Sequence, residues 1–192
     1  MEFKYQIKML SDWHTGSGLD SATNANSLVK KDDHGQPYIP GKTIKGLIKD
    51  AVEDMIEVGQ AKEEALIRIF GKLKKDVDPN IDENQVSHSG VAFFSNVKIS
   101  DLEAQEIKTN NLTPFLYRNI ASTAIGANGV AEGKSLRVTE VTTPLNLQGY
   151  ISNLNQDDCD LLNKAVLLVR RLGVNRNRGL GRCKVTVLKK EL

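Results

Sequence analysis

Two amphipathic helices set between period-two segments predict an α+β domain, with the helices on one face of an antiparallel sheet. Phe3, Tyr5, Ile7 and Met9 alternate with Glu2, Lys4, Gln6 and Lys8, the spacing of a half-buried strand. Ile44, Leu47, Ile48, Ala51, Val52, Met55 and Ile56 recur at i, i+3, i+4 and i+7, the stripe of a core-facing helix. Leu161, Leu162, Ala165, Val166, Leu168, Val169 and Leu172 form a second, wider stripe. The order is strand, helix, strand, hairpin strands, helix, strand, which suits the split βαβ ferredoxin-like plan.

A chain of 192 residues makes one large domain, or a domain with an insertion, and is long enough to bury a real core. The net charge of +2 does not by itself demand a polyanionic partner, but the distribution is uneven: Leu161 to Lys190 holds nine basic residues and no acid. Cys159 and Cys183 have no metal-ligand spacing, so free thiols in a reducing compartment are expected. The stretch MEFKYQIKML is charged and lacks the apolar run of a signal peptide. No segment approaches the ~20 apolar residues of a membrane span. The expectation is a cytoplasmic protein with no membrane partner.

Gly16 and Gly18 end the first strand, and His14 sits at its exit, as an acid–base group or as a hydrogen-bonded residue of the strand end. Residues 19 to 36 lack periodicity and read as loop. Pro37 and Pro40 hold Tyr38 and Ile39 extended, Gly41 turns the chain, and the first helix is expected over Thr43–Val58. Lys42 and Lys45 fall in or beside its first turn, where cations oppose the helix dipole and a bound anion would offset them. A second helix is expected over Ala61–Phe70, a polar insertion over 72–90, and a strand over Val91–Val97 with Val91, Phe93 and Ser95 on one face. No element is assigned over 101–117. Residues 117–150 read as a long β-hairpin with a glycine-rich tip at 126–134, which is too polar to bury much and projects onto a partner. The last helix spans Asp157–Leu172, with Asn155 as cap and Gly173 as stop, and the last strand alternates Cys183, Val185 and Val187 with Lys184 and Thr186.

The segment RRLGVNRNRGLGRCK, Arg170 to Lys184, carries the strongest functional signal. It contains Arg170, Arg171, Arg176, Arg178 and Arg182, the glycines Gly173, Gly179 and Gly181, Asn175, and no acid. Arginine forks match phosphate geometry, and glycine lets backbone N–H groups approach an anion. The two readings are a cradle for a polyanionic backbone and a solvated basic loop. GLGR does not follow a strand into a helix, which argues against a dinucleotide fingerprint. With ten aromatic residues, several at core positions, few are left to stack on a partner, so any polyanion contact should run mainly through its backbone.

Several stretches, in the right order along nearly the whole chain, resemble the RAMP superfamily of CRISPR-associated proteins. They are WHTGSG, PYIPGKTIKGLIKD, IFGK followed by GVAFFSNV, and LGVNRNRGLGRCKV. The hairpin RNIASTAIGANGVAEGKSLRVTEVTTPL resembles the thumb of the backbone subunit of type III effector complexes. The resemblance implies a single RRM-like domain over 1–192, copies stacked into a filament, and partners that include guide RNA, target RNA and other effector subunits. It also implies RNA-binding roles for His14, Lys42, Lys45 and Arg118, and for Gly173, Asn175, Arg176, Arg178, Gly179, Gly181 and Arg182 of the terminal loop.

Catalytic members of that group carry an aspartate in the loop before the PYIPG-like segment, which assists metal-dependent cleavage of target RNA. The expected position falls near Ala25, and Thr23, Asn24, Ala25, Asn26 and Ser27 include no carboxylate. Asp20 is the candidate upstream, while Asp32 and Asp33 downstream belong to a turn-like DDHG. The resemblance therefore implies a subunit that binds without cutting, with an Asp20-dependent endoribonuclease as the alternative. A guide-RNA processing ribonuclease using His14 is a third reading. No cofactor is firmly implied, and magnesium or manganese enters only if the protein cleaves RNA.

Overall fold

A computed structural model describes residues 1–18, 27–71 and 89–188. Strand β1 is Phe3–Met9, helix α1 Gly41–Glu57, helix α2 Glu63–Phe70, strand β2 Phe93–Phe94 and helix α3 Asp101–Thr109. Strands β3, Tyr117–Ser122, and β4, Arg137–Thr142, precede strand β5, Asn146–Ser152. Helix α4, Gln156–Leu168, and strand β6, Cys183–Leu188, complete the order. The main sheet runs β2-β5-β1-β6 with every pair antiparallel, and β3 and β4 form a separate two-stranded sheet. This is the ferredoxin-like, RRM-like plan expected from the alternating elements.

The period-two pattern of β1 is realised directly: Phe3, Tyr5, Ile7 and Met9 are buried against the helices. From α1, Ile44, Ile48, Ala51, Val52 and Met55 enter the core, and from α4, Leu162, Ala165 and Val166. Fully burying one such aliphatic side chain is worth about 1.5–3 kcal/mol, so these facing stripes hold the layers together. The start of α4 is a complete capping box. Asn155 Oδ1 accepts from the Asp158 amide at 2.8 Å, and Asp158 Oδ2 accepts from the Asn155 amide at 3.0 Å. The second oxygen of Asp158 pairs with Arg68 of α2, which ties two helices through one buried carboxylate.

The structure departs from the sequence expectations in five places. Helix α1 starts at Gly41, which is not a turn: a Cβ there would lie 2.2 Å from the Phe94 carbonyl, so the helix approaches β2 closely only with glycine. The strand expected over Val91–Val97 is reduced to Phe93–Phe94, and Val91 and Phe93 face solvent while Phe94 and Val97 are buried. Helix α4 stops at Leu168, because Arg170 and Leu172 pair instead with Cys183 and Gly181, each through a 2.9 Å backbone bond. Residues 146–150, expected as the end of the hairpin, belong instead to β5, Asn146–Ser152, an inner strand of the main sheet. Helix α3 occupies part of 101–117, capped by Ser100, whose Oγ accepts from the Glu103 amide at 3.4 Å. The polar insertion lies outside the described residues over 72–88. Cys159 and Cys183 are both free, and burial pushes the Cys183 thiol up to about 11, which leaves it protonated at neutral pH.

Candidate nucleic-acid interface

The segment leaving β1 is where remote parts of the chain meet. Trp13 is fully buried, and its Nε1 donates to the Thr143 carbonyl at 3.1 Å. Trp13 and Thr142 exchange backbone bonds of 3.0 and 2.8 Å, fixing the base of the β3–β4 hairpin to the strand exit. The next ring, His14, is 1% exposed. Its Nδ1 lies 2.6 Å from the Glu140 carbonyl and its Nε2 3.1 Å from Ser27 Oγ. A carbonyl only accepts, so Nδ1 carries the proton and donates, and in the neutral ring Nε2 accepts from the serine hydroxyl. Both ring nitrogens are thus engaged in holding the hairpin and residues 27–31 together. The ring is a buried clamp, not an exposed acid–base or phosphate-binding group. Replacing His14 with alanine is expected to cost about 2–4 kcal/mol in a urea unfolding titration, from the lost volume and the stranded carbonyl.

Glu140 completes the clamp. Its Oε2 accepts from the Val29 amide at 2.9 Å and its Oε1 from Lys31 Nζ at 2.8 Å. Lys31 also lies 3.9 Å from the centre of the Tyr117 ring, whose hydroxyl burial and the nearby carboxylates of Glu140 and Asp32 hold well above its usual range. Neither Glu140 nor Ser27 stands out in the sequence, since each is one polar residue in a polar run.

The arginine–glycine loop is a folded hairpin docked on this same segment. Gly181 N donates to the Asp12 carbonyl at 2.7 Å, Val174 N to the His14 carbonyl at 3.0 Å, and Arg182 N to Ser11 Oγ at 3.0 Å. Asn175 takes a left-handed φ of 56°, residues Arg176–Arg178 make one 3-10 turn, and Gly179 closes it with φ 89°. A Cβ on Gly173 would lie 2.3 Å from the His14 carbonyl, and one on Gly181 1.8 Å from the Leu172 carbonyl. These two glycines face protein backbone rather than a ligand. Gly179 is the one of the three that faces open space.

Arg170, Arg171, Arg176, Arg178 and Arg182 are all exposed, and among the described residues none forms an ion pair with a carboxylate. Arg171 braces the loop by donating from Nη1 to the Arg176 carbonyl at 3.0 Å. Arg118 differs: its guanidinium pairs with the buried carboxylate of Asp12, with Nε at 2.5 Å from Oδ2, so its charge is matched within the fold.

Beside the loop lies an open groove of about 600 Å³, lined by His14, Lys30, Lys42, Asp50, Gly173 and Arg176 among others. The N-terminus of α1 contributes Lys42 and has no acid in its first turn, so the positive end of the helix dipole is unopposed there. Lys45 stands half-exposed on α1 and does not line the groove. The structure therefore brings Lys42, Gly173 and Arg176 together, keeps Arg178 and Arg182 on the adjoining loop, and commits His14 and Arg118 to the scaffold. Asp20, Thr23, Asn24, Ala25 and Asn26 lie outside the described residues. Asp32 acts as a turn residue, its Oδ1 accepting from the amides of His34 and Gln36, each at 2.9 Å. Among the described residues no cluster of histidine, cysteine and acid groups is built to hold a metal ion.

Residues 6–184 match the family model of the RAMP superfamily. The chain belongs to the RAMP superfamily. No curated protein matches the sequence. Among solved structures, this RAMP protein is similar to a chain of the type III-B Cmr-beta complex bound to cognate target RNA, determined by cryo-EM. The TM-score is 0.70 at 11% identity, over 97% of each chain. A chain of the same complex in its apo state gives 0.69 at 11% identity, over 99% of this chain and 98% of that one. At such low identity the likeness is one of fold.

Proposed function

We infer that this RAMP protein is a guide-RNA-binding backbone subunit of a type III CRISPR effector complex, and that it binds RNA without cutting it. The observation that carries the reading is the loop of exposed, unpaired arginines docked beside the lysine-bearing N-terminus of α1. Both present positive charge to one groove, and among the described residues no carboxylate pairs with the arginines. The likeness to Cmr-beta chains supports an effector-complex setting, in which guide and target RNA, further copies of this chain and other subunits are the partners. Contact through arginine and lysine makes the binding phosphate-directed and indifferent to sequence. The β3–β4 hairpin, with Ile125, Val130 and Leu136 all exposed, suits a thumb that reaches the RNA or the next copy.

Binding without cutting rests on the stretch Thr23–Ser27, which offers no carboxylate, and on Asp32 being engaged as a turn cap. The test has two arms. Protein purified from cells expressing a guide is expected to carry RNA of guide length, and absence of that RNA overturns the guide-binding reading. The loaded protein, given guide-matched target RNA with magnesium or manganese, is expected to leave the target intact. Regular cuts that vanish in Asp20→Ala would instead make it a metal-dependent endoribonuclease.

A further inference from the structure

The main sheet has two faces, and α1 and α4 cover only one. The other face carries the alternate residues of each strand, and the register sets them in rows. Lys8 lies between Lys184 of β6 and Asn146 of β5, Gln6 between Thr186 and Gln148, and Lys4 between Leu188 and Tyr150. Lys98 bridges Gln148 and extends the middle row. Phe93, opposite Ser152 on β2, stands next to Tyr150 with ring centroids 6.1 Å apart and planes at 44°. Phe93 is 52% exposed and Tyr150 38%.

Two neighbouring aromatic rings left in solvent on a sheet otherwise polar and basic are an unusual combination. Lys4, Lys8, Lys98 and Lys184 are all exposed. Among the described residues the acids nearby are Glu2, 3.5 Å from Lys4, and Asp101, at the edge of a cavity of about 320 Å³ beside Lys4, Lys98, Gln148 and Tyr150. Lysine is depleted at the centres of protein–protein interfaces, so a protein partner fits this face poorly. A strand of unpaired bases fits it well: each base offers a π face to an aromatic ring and each phosphate a charge to a lysine. From Lys8, at the end of β1 that meets the arginine loop, to Lys4 beside Tyr150 is about 13 Å along the strand, room for a few nucleotides.

We propose that the uncovered sheet face is a second single-stranded RNA surface, with Phe93 and Tyr150 stacking bases and Lys4, Lys8, Lys98 and Lys184 neutralising phosphates. It is separate from the arginine loop and adds base stacking to a contact that is otherwise phosphate-directed. It does not depend on the effector-complex reading.

The test is fluorescence anisotropy with a labelled oligouridylate of about ten nucleotides, the scale of one such binding surface. It is run on the intact chain and on a chain with Arg176, Arg178 and Arg182 replaced by alanine. In the loop-substituted chain, residual binding is expected, and Phe93→Ala with Tyr150→Ala lowers its affinity at least tenfold. Phe93→Tyr and Tyr150→Phe restore it, because the ring matters and the hydroxyl does not. Leucine at both positions behaves as alanine does. Lys4→Ala with Lys98→Ala reduces the salt slope by about 1.4, whereas the aromatic substitutions leave the slope alone. All six side chains reach solvent, so the thermal transition should not move. Unchanged affinity in the aromatic double variant, or no residual binding in the loop-substituted chain, overturns the second surface. The loop reading fails separately, if the loop substitutions leave the affinity of the intact chain as it was.

Discussion

Replacing Arg176, Arg178 and Arg182 together with alanine is expected to weaken RNA binding about a hundredfold near 0.1 M salt, equally for every sequence. Each phosphate contact to a single strand contributes about 0.7 to the slope of log affinity against log salt, so three contacts supply about two decades between ~0.1 M and 1 M. The same substitution should flatten the slope by about 2. The side chains are exposed and without acid partners among the described residues, so their removal frees no buried charge and the fold should survive intact. Arg171 is the useful contrast. It holds the Arg176 carbonyl from within, so Arg171→Ala should loosen the loop as well as remove a charge. A filter-binding titration across salt separates these effects. An unchanged affinity in the triple variant would reduce the loop to a solvated surface.

Gly181→Ala is expected to be among the most damaging single substitutions in the chain, although it removes no interaction. The backbone there has φ 71°, and the added Cβ would lie 1.8 Å from the Leu172 carbonyl. That carbonyl is backbone and cannot swing aside, so the pairing of Leu172 with Gly181 and the Gly181 bond to the Asp12 carbonyl must break together. A loss of about 3 kcal/mol or more is the expected scale, with RNA affinity falling because the arginines lose their platform. Gly173→Ala should follow at a smaller cost, with 2.3 Å to the His14 carbonyl. Gly179→Ala provides the control: φ is 89° but nothing lies within 4 Å, so about 1–2 kcal/mol of conformational strain is the whole effect. Thermal denaturation of the three variants gives the order directly. Equal losses at 179 and 181 would mean that backbone conformation, not close packing, selects these glycines.

The elements best read in the sequence are those whose signal is local. β1 alternates in its own residues, α1 and α4 show their stripes, and Asn155 with Asp158 forms a capping box within four positions. Helix α3 was not read: Ser100 and Glu103 carry the S-x-x-E spacing of a capping box, but none of its residues is buried and no apolar stripe accompanies it. Neither was β5. Its NLQGYIS is weakly strand-like, and Gly149 fits because a Cβ there would come within 2.9 Å of the Tyr5 hydroxyl and of Val97. Only the partners across the sheet make that stretch a central strand.

The site divides along the same line. Sequence alone determined the α+β class, the two core helices and the clustering of arginine and glycine between Arg170 and Lys184, because composition and periodicity are written in neighbouring residues. The tertiary structure decided which of those residues remain available. It buried His14 between Glu140 and Ser27, paired Arg118 with Asp12, and turned Gly173 and Gly181 towards protein backbone. It also set Phe93 beside Tyr150, residues 57 positions apart, on an open sheet. The physical reason is that a hydrogen bond or ion pair takes its partner from wherever the fold brings one within about 3 Å, and sequence separation places no limit on that choice.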